Sequence, residues 1–191
     1  MKTLNILSTL LIYLLFTTPS LYAQGQIGDG EESPLQTQLR GTNMISCSSY
    51  DAINYNGHTV SEIDATEGNI SDLSQLYGSP SSVNDDNAII HAYVYLYGTN
   101  RVAFREGKLT RVDIKESNWP ITVLGKTIRV GDSFSEMKQK FGDDLKIIYK
   151  PSIDADYSVS FGCSGNDGDG FLIDFSTTTN QVVEIVYFVN P

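Results

Sequence analysis

The chain has 191 residues, 13 of them basic and 23 acidic, for a formal net charge of −10. Such a field repels phosphate backbones and anionic lipid, which argues against a nucleic-acid partner or attachment to a membrane surface. Only two cysteines and two histidines are present, which leaves little material for a metal centre.

Residues 1–23 read as a cleavable signal peptide. Lys2 supplies the positive end, an apolar run covers residues 4–16, and Ala23 stands ahead of Gln24 as a small cleavage residue. The rival reading is a membrane anchor. A spanning helix needs about 20 apolar residues, however, and this run is shorter with no basic cluster after it. Cleavage leaves no membrane span, a mature charge of −11 and a secreted or periplasmic protein. Residues 24–44 are polar and rich in glycine (Gly25, Gly28, Gly30), too poor in apolar surface to offset ordering entropy. They are expected to form a flexible leader.

Cys47 and Cys163 both belong to the mature part. After export a disulfide is the default for two cysteines, and its long loop would stabilise by on the order of 3–5 kcal/mol. Two buried thiols are the alternative. Neither His58 nor His91 has ligand spacing to a cysteine, so no metal and no cofactor is expected.

Beyond residue 50 the chain reads as written twice. Ala52-Ile-Asn-Tyr-Asn-Gly-His-Thr-Val60 lies over Pro120-Ile-Thr-Val-Leu-Gly-Lys-Thr-Ile128 at an offset of 68. Ser71-Asp-Leu-Ser-Gln-Leu-Tyr-Gly78 lies over Ser135-Glu-Met-Lys-Gln-Lys-Phe-Gly142 at an offset of 64, which places four extra residues near Asp64 to Gly68. Val102-Ala-Phe104 then matches Ile173-Asp-Phe175, and Leu109-Thr-Arg-Val112 matches Val182-Val-Glu-Ile185. Insertions fall between blocks, where loops tolerate them. The reading is two repeats, 45–117 and 118–191.

Within each repeat the first block predicts a strand pair or bent strand. A short helix follows. Ser133-Phe-Ser-Glu136 is a capping box, with Phe134, Met137 and Phe141 on one face and Gly142 as the stop. The first copy uses Asn69 as cap, Ile70, Leu73 and Tyr77 as the face, and Gly78 as the stop. Three strands close each copy, at 90–97, 101–105 and 109–115, and at 157–163, 171–175 and 182–188. The fold class is therefore α+β, each repeat laying one short helix on one face of a three- to four-stranded antiparallel sheet. Joined in tandem, the two would share one sheet with both helices on one side and the other face open.

Thr127-Ile-Arg-Val-Gly-Asp-Ser-Phe-Ser-Glu-Met-Lys-Gln-Lys-Phe-Gly142 resembles the helix-entry motif of small bacterial envelope proteins of the SmpA/OmlA type. The tandem arrangement is similar to that of the secreted β-lactamase inhibitor proteins. The first copy carries Glu67-Gly-Asn69 in place of Gly131-Asp-Ser133. The resemblance implies a fold and a protein-binding habit, without naming a target.

Strand 90–97 offers the strongest candidate surface. Alternation puts Ile90, Ala92, Val94 and Leu96 on one side and His91, Tyr93, Tyr95 and Tyr97 on the other. With the aliphatic side assigned to the helix, the aromatic row faces outward beside Arg101, Arg105, Arg111 and Lys115. Tyrosine and arginine are enriched at binding hot spots, and the site requires the three rings to be exposed. The plainer reading is a cross-strand ladder that stabilises the sheet. In the second copy the outward set is Glu184, Val186 and Phe188.

Gly165-Asn-Asp-Gly-Asp-Gly170 fails as a calcium loop, because an EF-hand register puts Gly165 and Ser176 at ligand positions. A hairpin turn is the better reading. His58 is read as an exposed turn residue. No catalytic residue is assigned, since there is no Gly-x-Ser-x-Gly elbow and no phosphate-cradling loop. The expected function is a non-catalytic module that binds a protein or peptide partner. A hydrolase or lyase acting on an envelope polymer and a structural accessory protein of the envelope are the alternatives.

Overall fold

The structure is a computed structural model that describes residues 38–85, 92–149, 156–165 and 169–189. The expected signal peptide and most of the expected leader lie outside the described residues.

Thirteen strands and four helices are ordered as follows among the described residues. Strand β1 (Asn43–Met44) and helix α1 (Cys47–Asp51) precede a hairpin of β2 (Asn54–Tyr55) and β3 (His58–Thr59). Helices α2 (Val60–Asp64) and α3 (Ile70–Tyr77) follow, then β4 (Ser82–Asp85), β5 (Ala92–Tyr97), β6 (Asn100–Arg105) and β7 (Lys108–Ile114). A second hairpin, β8 (Ile121–Val123) and β9 (Lys126–Ile128), leads to helix α4 (Phe134–Phe141). The chain ends with β10 (Ile148–Tyr149), β11 (Tyr157–Gly162), β12 (Asp169–Phe175) and β13 (Val182–Val189).

The main sheet runs β1-β11-β12-β13-β7-β6-β5-β4, with β10 also on β11, and the two hairpins form a four-stranded sheet of order β3-β2-β8-β9. The class is α+β. All pairings in the main sheet are antiparallel except β1 with β11, so the sheet is mixed. Strands β7 and β13 meet through Ile114↔Ile185 and Val112↔Tyr187, joining the two expected repeats into one sheet.

Alternation then divides the sheet into two faces. One cross-strand row on the first face is Tyr95, Val102, Val112, Tyr187, Phe171 and Phe161, all buried. Helices α3 and α4 and the small sheet cover this face. Phe134 of α4 meets Tyr157 and Phe175 edge-on, and Tyr55 of the small sheet meets Phe171 and Tyr187. The core lies between these two layers.

Helix α4 follows its sequence signature. Ser133 Oγ accepts from Glu136 N–H, the Glu136 carboxylate accepts from Ser133 N–H, and Phe134 and Met137 are buried. Gly142 ends the helix at φ 103°, a backbone that only glycine adopts cheaply, and its N–H reaches Lys138 O. Helix α3 is capped by Asn69 as expected, and Leu73 is buried. Ile70, expected on the buried face, is instead 50% exposed. Tyr95 takes the space beside that helix start and donates its hydroxyl to Gly68 O, so the isoleucine is left outside.

Three elements depart from expectation. Val60, read as the end of a strand, begins α2, which Thr59 and Glu62 cap by the same reciprocal box that Ser133 and Glu136 form. This extra helix and the turn after it occupy the place of the four-residue insertion. Second, residues 38–44 are not a loose leader. Asn43 side-chain Nδ2 donates to Lys146 O and Ser160 O while its Oδ1 accepts from Lys146 N, which fastens β1 to the sheet edge. Third, His58 is not an exposed tip, because its ring stands edge-on to Tyr77 at 5.2 Å and Nε2 lies 3.2 Å from Leu76 O.

Cys47 and Cys163 form a disulfide that ties α1 to the end of β11. The Gly165–Gly170 segment joins consecutive antiparallel strands, as a hairpin connection does, with its centre at residues 166–168 outside the described residues. No helix among the described residues is long and apolar enough to cross a membrane.

Candidate functional site

The tyrosine row points the other way from its predicted side. Tyr95 is 3% and Tyr97 8% exposed, both within the core, and Tyr93 packs partly buried against it. Tyr95 stands edge-on to Phe104, while Tyr97 lies against Tyr77 and Trp119. Burial pushes the Tyr97 phenol up to about 12 and raises that of Tyr95 as well. A site built on these three rings does not exist. His91, the fourth member of the row, lies outside the described residues.

The reason is volume. Every position of β5 from Ala92 to Tyr97 is apolar or aromatic, so alternation separates two sets without saying which is inside. An aromatic ring buries more surface than Val or Leu, and the gap under a two-turn helix is deep enough to take it. The aliphatic set Ala92, Val94 and Leu96 therefore faces outward, half-buried.

The arginines lie where expected, on the sheet face opposite the helices. Register fixes their neighbours. One row reads Leu96, Arg101, Asp113, Val186, Leu172 and Ser160 across β5, β6, β7, β13, β12 and β11. The adjoining row reads Val94, Ala103, Arg111, Phe188 and Gly170. A Cβ on Gly170 would stand 2.3 Å from Phe188 Cζ, so the absent side chain is what lets the Phe188 ring lie flat over β12. Arg105 is exposed at the end of β6.

Asp113 organises this face, and the sequence reading passed over it. It is 3% exposed and sits between Arg101 and Arg111, each side chain 37% and 41% exposed. The available signal was the spacing Arg111-Val-Asp113-Ile-Lys115, three charges on one side of a strand. Beyond it, Lys115 Nζ lies 3.4 Å from Glu184 Oε1, and Ser158 Oγ donates to Asp174, itself buried. Burial raises the Glu184 pKa, with Lys115 opposing and the Asp113 and Asp174 charges adding. The face thus grades from cationic over β6 and β7 to carboxylate and apolar over β12 and β13. Leu172 and Val186 are buried there, outside the main core cluster.

A separate cleft of about 540 Å³ opens between α1, α2 and strands β7 and β13, lined by Asp51, Ser61, Asp64, Lys108 and Tyr187 among others. Asp64 is engaged there by Leu109 N–H at 2.7 Å and by Lys108 at 3.3 Å. Neither histidine nor cysteine stands among the described residues that line it. Among the described residues no three His, Cys, Asp or Glu side chains are grouped to hold a metal ion.

No protein-family model matches this chain, and no curated protein sequence matches it. One solved structure it is similar to is an extracellular protein containing an SCP domain from Bacillus anthracis str. Ames. The likeness has 13% identity and a TM-score of 0.40, and it takes in 64% of this chain and 43% of that one. At that distance it carries no argument about function.

Proposed function

We propose that this chain is a secreted or periplasmic, non-catalytic binding module that holds a protein or peptide on the sheet face opposite its helices. The observation that carries this reading is the Arg101–Asp113–Arg111 group, fixed beside half-buried apolar residues Leu96 and Phe188. Oriented cations next to apolar side chains supply the ingredients of a binding hot spot. A photo-crosslinking residue at Leu96 or Phe188 in the exporting cell is expected to give a discrete protein adduct. The same residue at Leu124, 49% exposed in the turn between β8 and β9, is expected to give none. Equal labelling at both places would sink the reading.

Export is supported by the signal-peptide pattern and by a disulfide, which persists in oxidising compartments. Sequencing the mature protein is expected to find Gln24 at its start; an intact Met1 would count against it.

The duplication belongs to the same proposal. Its support is the recurring order of hairpin, capped eight-residue helix and three-stranded meander, with β7 and β13 paired at the centre. A relative with a single unit would bear this out, and relatives whose halves align with unrelated proteins would refute it.

A further inference from the structure

The arginines narrow what this face can hold. Both oxygens of Asp113 are used: Arg111 Nε donates to Oδ1 at 2.6 Å, while Nε and Nη2 of Arg101 lie 2.5 Å from Oδ2. Asp113 is the one side-chain partner of Arg101 and of Arg111 among the described residues. One carboxylate faces two guanidiniums with five N–H donors each, more than its lone pairs can accept, so donors are left over on side chains that are 37% and 41% exposed. Resting on the proposed function above, we propose that Arg101 and Arg111 form a preset fork for a carboxylate, and that the partner is an acidic peptide segment.

Charge and geometry favour this ligand. Two cations share one buried anion, so the group keeps one net positive charge, to which exposed Arg105 adds while Lys115 is paired with Glu184. A guanidinium fork matches the planar carboxylate in shape, and side chains fixed beforehand lose little rotamer freedom on binding. Phe188 beside Arg111 and Leu96 beside Arg101 are half-buried, and an apolar residue next to the acidic one would settle against them. A polyanion is disfavoured, because the chain as a whole carries −10.

The test is selection of a displayed library of random dodecapeptides on the immobilised mature chain, with synthetic copies of the winners measured by calorimetry. Winners are expected to share an aspartate or glutamate beside an apolar residue. Replacing that acid by its amide is expected to weaken binding about ten-fold, the scale of a charge-assisted hydrogen bond. Arg111→Gln should weaken it similarly, and Arg111→Lys several-fold, because lysine keeps the charge and loses the fork. Lys126→Gln, on the small sheet, should change nothing. Winners without an acid, no enrichment at all, or full affinity in Arg111→Gln and Arg111→Lys would overturn the fork. Displacement of the peptide by a short oligonucleotide would overturn it too, in favour of a nucleic acid. Phe188→Ala separates the two levels: if it weakens binding while the arginine variants do not, the face still binds and only the fork is wrong. If neither matters, both fall.

Discussion

Two buried tyrosines on one strand have different hydroxyl fates. The Tyr95 hydroxyl donates a hydrogen bond to Gly68 O, whereas the buried Tyr97 hydroxyl has no partner among the described residues. Removing a satisfied hydroxyl leaves a carbonyl unpaired; removing an unsatisfied one relieves a cost. Tyr95→Phe is expected to destabilise by about 1–2 kcal/mol, and Tyr97→Phe to be neutral or stabilising, as read from urea midpoints. Ionisable groups divide in a similar way. Hydrogen bonds from the cap backbones of Ser133 and Thr59 hold Glu136 and Glu62 below the usual glutamate range. A depressed acid contributes stability above its ordinary pKa, and that contribution is lost as pH falls through the lowered value. Glu184 is raised by burial, so its sign is opposite. Its contribution is present below the ordinary value of 4.5 and lost as pH rises through the shifted one. Glu184→Gln should therefore gain on the wild type as pH climbs from about 4 toward neutrality, a trend that urea unfolding across pH would detect. A flat difference would show that Lys115 cancels the burial.

At the level of elements, the two capping boxes invite one comparison. Ser133→Ala removes the acceptor for Glu136 N–H at the start of α4, and Thr59→Ala does the same for α2. Each is expected to cost about 1 kcal/mol in unfolding free energy, the usual worth of an N-cap. Helix α4 was legible from its residues because cap, stripe and stop all agree over ten positions. Helix α2 was equally encoded in Thr59-Val-Ser-Glu62, but a match to the second copy, which continues there as a strand, concealed it. Strands β5 to β7 and β11 to β13 were legible from β-branched and aromatic runs. Which face of β5 lies inside was not, because both of its sides are apolar and only the depth beneath α3 decides. Asn43 likewise gave no sign of its role: its three hydrogen bonds go to residues more than one hundred positions away. For the candidate site, parity placed Arg101 and Arg111 on the face opposite the helices, but Val186, expected to face outward, is 2% exposed, and the value of Asp113 appears only when β6 and β7 are laid side by side.

Over the whole molecule, the disulfide is the longest covalent constraint, closing a separation of 116 residues. A loop of that size would lose about 4–5 kcal/mol of unfolded-state entropy in the chain model. Cys47→Ser with Cys163→Ser is expected to lower stability by up to that amount, measured by denaturant unfolding with and without reductant. A loss below about 1 kcal/mol would mean that the reduced unfolded chain is already held compact. The same reduction should loosen the α1–β11 end of the molecule first, leaving β7 and β13 paired at the sheet centre.

The pairing of β1 with β11 also sets a timetable. A chain that emerges N-terminus first presents Asn43, Met44 and Cys47 well before their partners Phe161, Gly162 and Cys163, and the two cysteines are 116 residues apart. The β5–β6–β7 meander can zip locally as soon as it appears, since its pairings span few residues. The earliest described segment is therefore secured later than the β5–β6–β7 meander, and Cys47 must wait as a thiol until Cys163 follows. An oxidant that reaches it during that wait meets a lone cysteine, so correct maturation depends on the rest of the chain arriving sooner than a competing thiol.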